Sequence, residues 1–562
     1  MSRRRGNRVN RRVRLLLVVL VGLFAVMLLR AGWLQAVRAS SLSRLAQVQQ
    51  RQTVTIPARR GTLYDRNGVE LAIGEQATTV YADPRQIAHP RSVALAAARA
   101  LHLDPTKLYP LLADRSRGFV YVERKADPAR AAALKRERIT GLGFYPEERR
   151  SYPQGSVGAQ VLGYAGVDNR GLSGLELQLD PFLAGTPGRE TVVRDPTGRV
   201  IDVTSQLPEH EGRDVHLTLD HTLQANAEQV LRRTITTWGA KSATAIVLDP
   251  HTGGILAMAV QPGYDANEFP SVSHDEQRNR AVTDTYEPGS TFKVVTVAAA
   301  LSEGLVSPQT EFTLPYETHV ADRIVHDAEE RGTERMSVEQ ILSHSSNVGA
   351  ITLAEMLGKD RLASWISRFG FGAKTSIDYP GESAGIVLPP DKWSGSTIGN
   401  VPIGQGIAVT PVQMAAAYAA IANRGIWVRP HLVSHVAGGG RPSLHKHRIV
   451  SRQIASELVR MLEGVVAEGG TGYLAAVRGY QVAGKTGTAQ KPDGHGGYST
   501  GRYVASFVGF VPATRPRLVI LVAVDEPQGA IWGGVVAAPA FAEIAHFALQ
   551  YLEVPPDVQL QR

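Results

Sequence analysis

Apolar residues are spread unevenly along this chain. Leu15 to Leu29 runs without a polar side chain, and Ala31 to Leu34 extend the run past Arg30. That is about twenty residues, enough to span a bilayer as one helix, with Trp33 at the expected interface. Farther on, residues 218–238 carry apolar positions at helical spacing. The stretch "SATAIVLDPHTGGILAMAV" (242–260) predicts two apolar strands joined across a Pro/Gly turn. Helical patterns occupy 290–303, 337–358 and 410–424. Strand patterns return at 480–489, 503–511 and 517–525, and a last helix covers 539–552. Strands at both ends with helices between them predict an α+β domain, an antiparallel sheet covered by helices.

Between the apolar run and this region the texture is different. Residues 40–53 read as a polar helix or linker. "RRGTLYDRNGVELA" (59–72) alternates around Asn67-Gly68, a hairpin signal. From there to about residue 217, short strands mix with Ala-rich helices such as 91–101 and 128–137, and glycines punctuate 152–166 and 171–188. No cluster of chemically useful groups stands out there, which suits a structural or docking module. The expected division is 1–38 for a basic tail and anchor, 39–217 for a non-catalytic module and 218–562 for the catalytic domain.

Charge sharpens the picture of the N-terminus. The net charge is +9, yet residues 1–60 hold thirteen arginines and no acidic residue, so the rest of the chain is weakly acidic. A nucleic-acid footprint would need basic residues on the folded body. Seven arginines within the first fourteen residues should keep that end in the cytoplasm and place the remainder outside. The alternative is a cleaved signal peptide, with Val37-Arg38-Ala39 as a passable site, but the apolar run is long for that role. With only fourteen residues ahead of the span, a cytoplasmic signalling segment is not expected. The chain has no cysteine, which excludes disulfides and thiolate chemistry, and its 16 histidines show no H-E-x-x-H spacing. No metal and no cofactor are inferred.

Three clusters carry candidate chemistry. In "YEPGSTFKVVTVAAAL" (286–301), Ser290 and Lys293 stand at i and i+3 where a Pro-Gly turn opens an apolar helix. A serine there is an ordinary cap, but a lysine inside a buried helix is costly unless it is paired or gives up its proton. "LSHSSNVG" supplies Ser345 and Asn347, and "VAGKTGTAQ" places Lys485, Thr486, Gly487 and Thr488 on a strand. Each is weak alone; together, in this order and on this frame, they are a strong signal. His344 reads as a surface or capping residue, and 493–503 as a mobile loop after the third cluster.

This set of motifs, S-x-x-K, S-x-N and K-T-G-T, resembles that of the class B penicillin-binding proteins, membrane-anchored peptidoglycan D,D-transpeptidases. The resemblance covers nearly the whole chain, through "RRGTLYDRNG", "YPQGSVGAQVLGYAG", "GLSGLE" and "NVPIGQGIAVTPVQMAAAYAAIANRG" (400–425). The ending "IWGGVVAAPAFAEIAHFALQYLEVPPD" is most similar to the division-type, FtsI-like branch, with no added C-terminal binding module expected. The resemblance implies a single transmembrane helix, an elongated mixed pedestal or dimerisation-type module, and a transpeptidase domain outside the cytoplasmic membrane. It implies Ser290 as nucleophile and Lys293 as its base, with Lys293 kept neutral by burial, by the helix dipole and by Lys485 across the cleft. Ser345 would pass a proton, Asn347 would hold Lys293 and substrate, and Lys485 with Thr486, Gly487 and Thr488 would take the substrate carboxylate. Implied partners are D-Ala–D-Ala stem peptides, β-lactams as inhibitors, a SEDS-type (FtsW-like) glycosyltransferase and other divisome membrane proteins. A β-lactamase would not need the anchor and pedestal, a β-lactam sensor would need a signalling segment, and a pseudoenzyme would lack polar groups present here. A D,D-carboxypeptidase is the nearest rival.

Overall fold

A computed structural model of the chain describes residues 3–38, 51–194, 200–440, 443–494 and 497–558, in two bodies taken in turn. The first comprises the described residues up to 58 together with those of 185–211. Its helix Arg3–Ala36 includes Arg11–Ala36, whose most apolar 18-residue window has a mean hydropathy of 2.6, long and apolar enough to cross a membrane. At about 1.5 Å per residue that stretch exceeds a hydrocarbon core of about 30 Å. The same body holds a three-stranded antiparallel sheet in which Gly188–Arg194 lies between Arg51–Ile56 and Val200–Leu207. Most of the linker expected over 40–53 lies outside the described residues, and its last three residues begin a strand.

The second body holds residues 59–184 and the described residues from 212 onward. The hairpin expected around Asn67-Gly68 forms, pairing Leu63 with Ala72 and Tyr64 with Glu70. Asp65 fastens its turn, accepting from the N–H groups of Asn67 (2.7 Å) and Val69 (2.9 Å), and bonds His221 Nδ1 at 2.8 Å. The resulting sheet runs Val433–Val436, Val215–Leu217, Leu63–Tyr64, Glu70–Ala82 and Val120–Ala126, with Leu142–Ser151 also paired to 70–82. Three helices, Pro90–Leu101, Pro105–Ala113 and Pro128–Arg136, each start on proline, whose missing N–H costs nothing at a first helical position. They cover a small core that includes Val80, Ala97, Leu112, Val122 and Leu134.

Two family-like motifs meet in one buried ion cluster. Glu176, fully buried, accepts from Arg60 Nε at 2.7 Å and from Arg150 Nε at 2.6 Å, and Arg60 also reaches Asp180 at 2.6 Å. Charges taken so far from water persist only when paired and hydrogen-bonded. "RRGTLYDRNG" and "GLSGLE" are thus two halves of one structural lock.

The rest of this body is an antiparallel sheet between helical layers. Strands β1 (Ser242–Leu248), β2 (Ile255–Gln261), β3 (Ala483–Pro492), β4 (Tyr498–Val511) and β5 (Leu518–Asp525) lie in the order β2-β1-β5-β4-β3. Helices α1 (His221–Trp238) and α6 (Ala538–Tyr551) share a core with one face through Leu223, Leu231, Phe541 and Ile544, over Ala245, Val247 and Phe507. The opposite face, with Ile246, Val508 and Leu521, lies under α2 (Lys293–Ser302), α4 (Pro411–Ala422) and α5 (Arg452–Val466). Period-two alternation separates the two faces, and because both are covered, β1 and β2 are buried at every residue. Helix α2 is buried from Lys293 to Leu301, as a helix apolar all round must be. This matches the expected α+β domain.

Two expectations need correcting. The helix expected over 337–358 is two helices, Val338–Ser343 and α3 (Asn347–Leu357). Ser345 between them has φ 62°, and the Ser346 hydroxyl caps α3 by accepting from Gly349 N–H at 3.0 Å. The loop expected over 493–503 is shorter, because β4 begins at Tyr498, opposite Pro492. Tyr498 and Tyr503 are good strand formers, and their backbone pairs continue the β3–β4 ladder.

Candidate active site

The nucleophile turn is held from both sides before its helix begins. Tyr286 and Val409 exchange backbone hydrogen bonds at 3.0 and 2.9 Å, and Gly289 N–H donates to Gly404 O at 3.0 Å. Gly289 has φ +54°, and a Cβ there would sit 2.8 Å from Thr488 O, so the position demands glycine. Residues Gly289–Phe292 form a 3₁₀ turn that runs into α2 at Lys293. Half-buried Ser290 lies in this turn, three residues ahead of Lys293.

Lys293 is fully buried. Its amine donates to Asn347 Oδ1 at 2.7 Å, to Ser345 Oγ at 3.2 Å and to Ser345 O. The left-handed Ser345 lets the break between the two helices aim both a carbonyl and a hydroxyl at one amine. Burial pushes the Lys293 amine down to about 7, opposed by the charge of Asp327.

Strand β3 closes the opposite side. Lys485 is fully buried, and its amine lies 3.4 Å from Thr486 Oγ1. Burial pushes this amine well below the usual lysine range, with repulsion from Lys293 adding to it. The expected push of Lys485 on Lys293 therefore shows on Lys485; repulsion between the two amines is mutual, and burial dominates both. A Cβ at Gly487 would meet Pro288 O at 2.8 Å and Ser506 Oγ at 2.4 Å, so glycine lets the strand lie directly on the nucleophile turn. Thr488 Oγ1 accepts from Gly533 N–H at 3.1 Å, which leaves its own proton to donate. Thr486 Oγ1 lies 3.0 Å from Thr471 Oγ1, a hydroxyl the sequence reading passed over.

All eight candidate residues thus lie on the three segments that converge here: the nucleophile turn, the break before α3, and β3. His344 is exposed. Asp327, which sequence reasoning missed, is 5% exposed and accepts from the N–H groups of Asn347 (2.5 Å) and Val348 (3.1 Å). Elsewhere Asp65, Asp220 and His221 cluster, but their atoms are engaged in turn, cap and ring hydrogen bonds.

A half-buried serine, a buried lysine of depressed basicity and a second lysine on a facing strand define a class, the serine acyltransferases that activate a hydroxyl with an amine. The penicillin-binding protein transpeptidase domain matches residues 243–546, and the penicillin-binding protein dimerisation domain matches 55–217. The peptidoglycan D,D-transpeptidase FtsI of Escherichia coli K12 is 32% identical over 543 residues, covering 95% of this chain and 90% of that protein. PbpB of Mycobacterium tuberculosis is 36% identical over 576 residues, covering 96% and 84%. A crystal structure of penicillin-binding protein 3 from Mycobacterium tuberculosis in complex with aztreonam aligns with a TM-score of 0.70 at 33% identity, covering 90% of this chain and 98% of that one. The chain belongs to the penicillin-binding protein transpeptidase family.

Proposed function

We propose that this protein is a peptidoglycan D,D-transpeptidase of cell division that cross-links stem peptides through an acyl-enzyme on Ser290. The observation that carries the reading is the Lys293 amine, fully buried, brought down to about 7 and one turn from Ser290. In that state it takes the Ser290 proton as the hydroxyl oxygen attacks the penultimate D-alanine carbonyl. The backbone N–H groups of Ser290 and Thr488 receive the oxyanion. Ser345 relays a proton to the departing D-alanine nitrogen, the C–N bond breaks, and the peptide remains as a Ser290 ester. An amine from a neighbouring stem peptide then attacks the ester and releases the serine.

Lys485 and the Thr488 proton serve the substrate's terminal carboxylate. That anion, on arrival, favours the protonated form of Lys485, so the second amine is charged when it is needed. A β-lactam carries the same carboxylate beside a strained amide and enters the same path.

Our reading of the modules is a basic tail and anchor to 38, a non-catalytic pedestal to 217 and a transpeptidase domain beyond. The arginine-rich end lies in the cytoplasm and the catalytic domain outside. Glycan strands come from a SEDS-type, FtsW-like polymerase, with other divisome membrane proteins as neighbours. Gly22, Ala25, Leu29 and Gly32 form one mostly small-residue helix face for contact within the bilayer.

A labelled penicillin tests the chemistry. Stable label on the native chain and none on folded Ser290→Ala is the expected result; undiminished label on that variant overturns the nucleophile. Incubation with stem-peptide donor and acceptor should yield cross-linked product, and free D-alanine without cross-links would mark a carboxypeptidase.

A further inference from the structure

Asp327 stands behind the second motif rather than in it. It follows the hairpin Glu317–Val320/Arg323–His326, and its own N–H donates to Tyr316 O at 3.0 Å. Its Oδ1 takes the Asn347 and Val348 N–H groups, and the Ser346 hydroxyl lies 3.0–3.1 Å from both of its oxygens. The carboxylate is therefore a second cap on α3, supplied from another segment. The residue before it completes the hold: Asn347 Nδ2 donates to His326 O at 2.8 Å, which turns Oδ1 toward the Lys293 amine.

The carboxylate is clamped in turn. Arg331 donates to Asp327 Oδ2 through Nε at 3.0 Å and Nη2 at 2.5 Å. Its remaining N–H groups bond Leu314 O (2.9 Å), Gly332 O (3.0 Å) and Pro315 O (3.1 Å). A cation with every donor spent on one anion and three carbonyls cannot swing away to another role. The charged groups acting on the Lys293 amine are then the Asp327 carboxylate on one side and Lys485 on the other. His326 Nδ1 is turned to Asp327 O at 2.7 Å and to Tyr316 Oη at 3.2 Å.

We propose that Asp327, clamped by Arg331, is a positioning residue of the acylation step: it fixes Asn347 against the Lys293 amine, and its negative charge acts on that amine. This rests on Lys293 being the base. The two parts separate by substitution. Asp327→Asn keeps an oxygen for the two N–H groups but removes the charge. Asp327→Ala removes both. Arg331→Met keeps the carboxylate and removes its counter-ion. An anion stabilises an ammonium, so removing the anion makes Lys293 easier to deprotonate and baring it makes Lys293 harder to deprotonate.

The measurement is the rate of acylation of the full chain by a fluorescent penicillin between pH 5 and pH 9. For the native protein the rate should rise through about pH 7 and then level, as the Lys293 amine loses its proton. Asp327→Asn should move that midpoint down and Arg331→Met should move it up, each by about half a unit or more. Asp327→Ala should lower the plateau at least tenfold, and Asp327→Asn should recover most of that loss. A purely structural Asp327 would lower rates without moving midpoints. Native midpoints in both Asp327→Asn and Arg331→Met overturn the electrostatic part, and a native plateau in Asp327→Ala overturns the positioning part. If Asp327→Ala does not fold, the other two variants still decide the electrostatic part. Ser290→Ala run in parallel reports on the nucleophile alone, so a failure of that assignment is seen separately.

Discussion

Asn347 holds the Lys293 amine with one end of its side chain and the hairpin carbonyl of His326 with the other, at 2.7 and 2.8 Å. An amide can do this because it is acceptor and donor at once. A carboxylate at 347 would lose the bond to His326 and place an anion beside the amine. Asn347→Asp should therefore raise the pH at which acylation reaches half its plateau and lower the rate at pH 7 by tenfold or more. A pH–rate profile that coincides with the native one would show that Lys293 does not govern the step.

Lys293→Arg probes the same amine from the other direction. A guanidinium stays protonated throughout the accessible pH range, so it offers charge but no base. Acylation should fall by about a thousandfold or more and lose the rise near pH 7, read from the covalent label per folded molecule. Near-native acylation would move the base role elsewhere, with Lys485 the first place to look.

Gly487→Ala tests the closeness of β3 to the nucleophile turn. The added methyl would stand 2.8 Å from Pro288 O and 2.4 Å from Ser506 Oγ, so strand or turn must move. A displacement of that kind should cost acylation about a hundredfold while both lysines and Ser290 remain. Label forming at the native rate would mean that the turn yields without consequence.

Glu176→Gln probes the pedestal lock. Two buried arginines would lose the charge they share, which costs about 3–5 kcal/mol when one partner of a buried pair is removed. The melting temperature should drop by several degrees, while the molecules that stay folded acylate normally. An unchanged melt would mean that water replaces the carboxylate freely.

Gly22→Leu with Gly32→Leu tests the anchor. A Cβ at either glycine meets nothing within 4 Å, so the protein alone tolerates the larger side chains. Co-purification with the proposed FtsW-like polymerase should weaken while penicillin labelling persists. Full retention of the polymerase would shift the contact to the pedestal.

What the sequence displays and what it hides follow from range. Ser290 and Lys293 are three residues apart, and one turn of backbone brings them together, so spacing alone announces the pair. Strands β1 and β2 and helices α2 and α4 are legible because covered faces require unbroken apolar runs. The break at Ser345 is hidden because the apolar spacing of 338–343 continues into 347–357 across it, and nothing in Ser-Ser-Asn marks a left-handed residue. Asp327 is hidden for a different reason. It arrives beside Asn347 at the end of a short hairpin with no apolar rhythm, and the partners it caps lie twenty residues on. Glu176 reads as one more polar residue until Arg60 and Arg150, 116 and 26 residues away, fold onto it.

The sheet that carries the Asn67-Gly68 hairpin borrows its outer strand from far along the chain. Val215–Leu217 pairs with Leu63–Tyr64 on one side and with Val433–Val436 on the other. A chain emerging from its amino end therefore exposes the edge of Val215–Leu217 until more than two hundred further residues have followed. Strand β1 likewise waits for β5, which lies beyond residue 517. Unpaired edges of this kind invite pairing with the wrong strand, and closing such long loops is slow. The first sheet thus couples early and late parts of the chain in time as well as in space: it cannot be completed during synthesis until Val433–Val436 has been made.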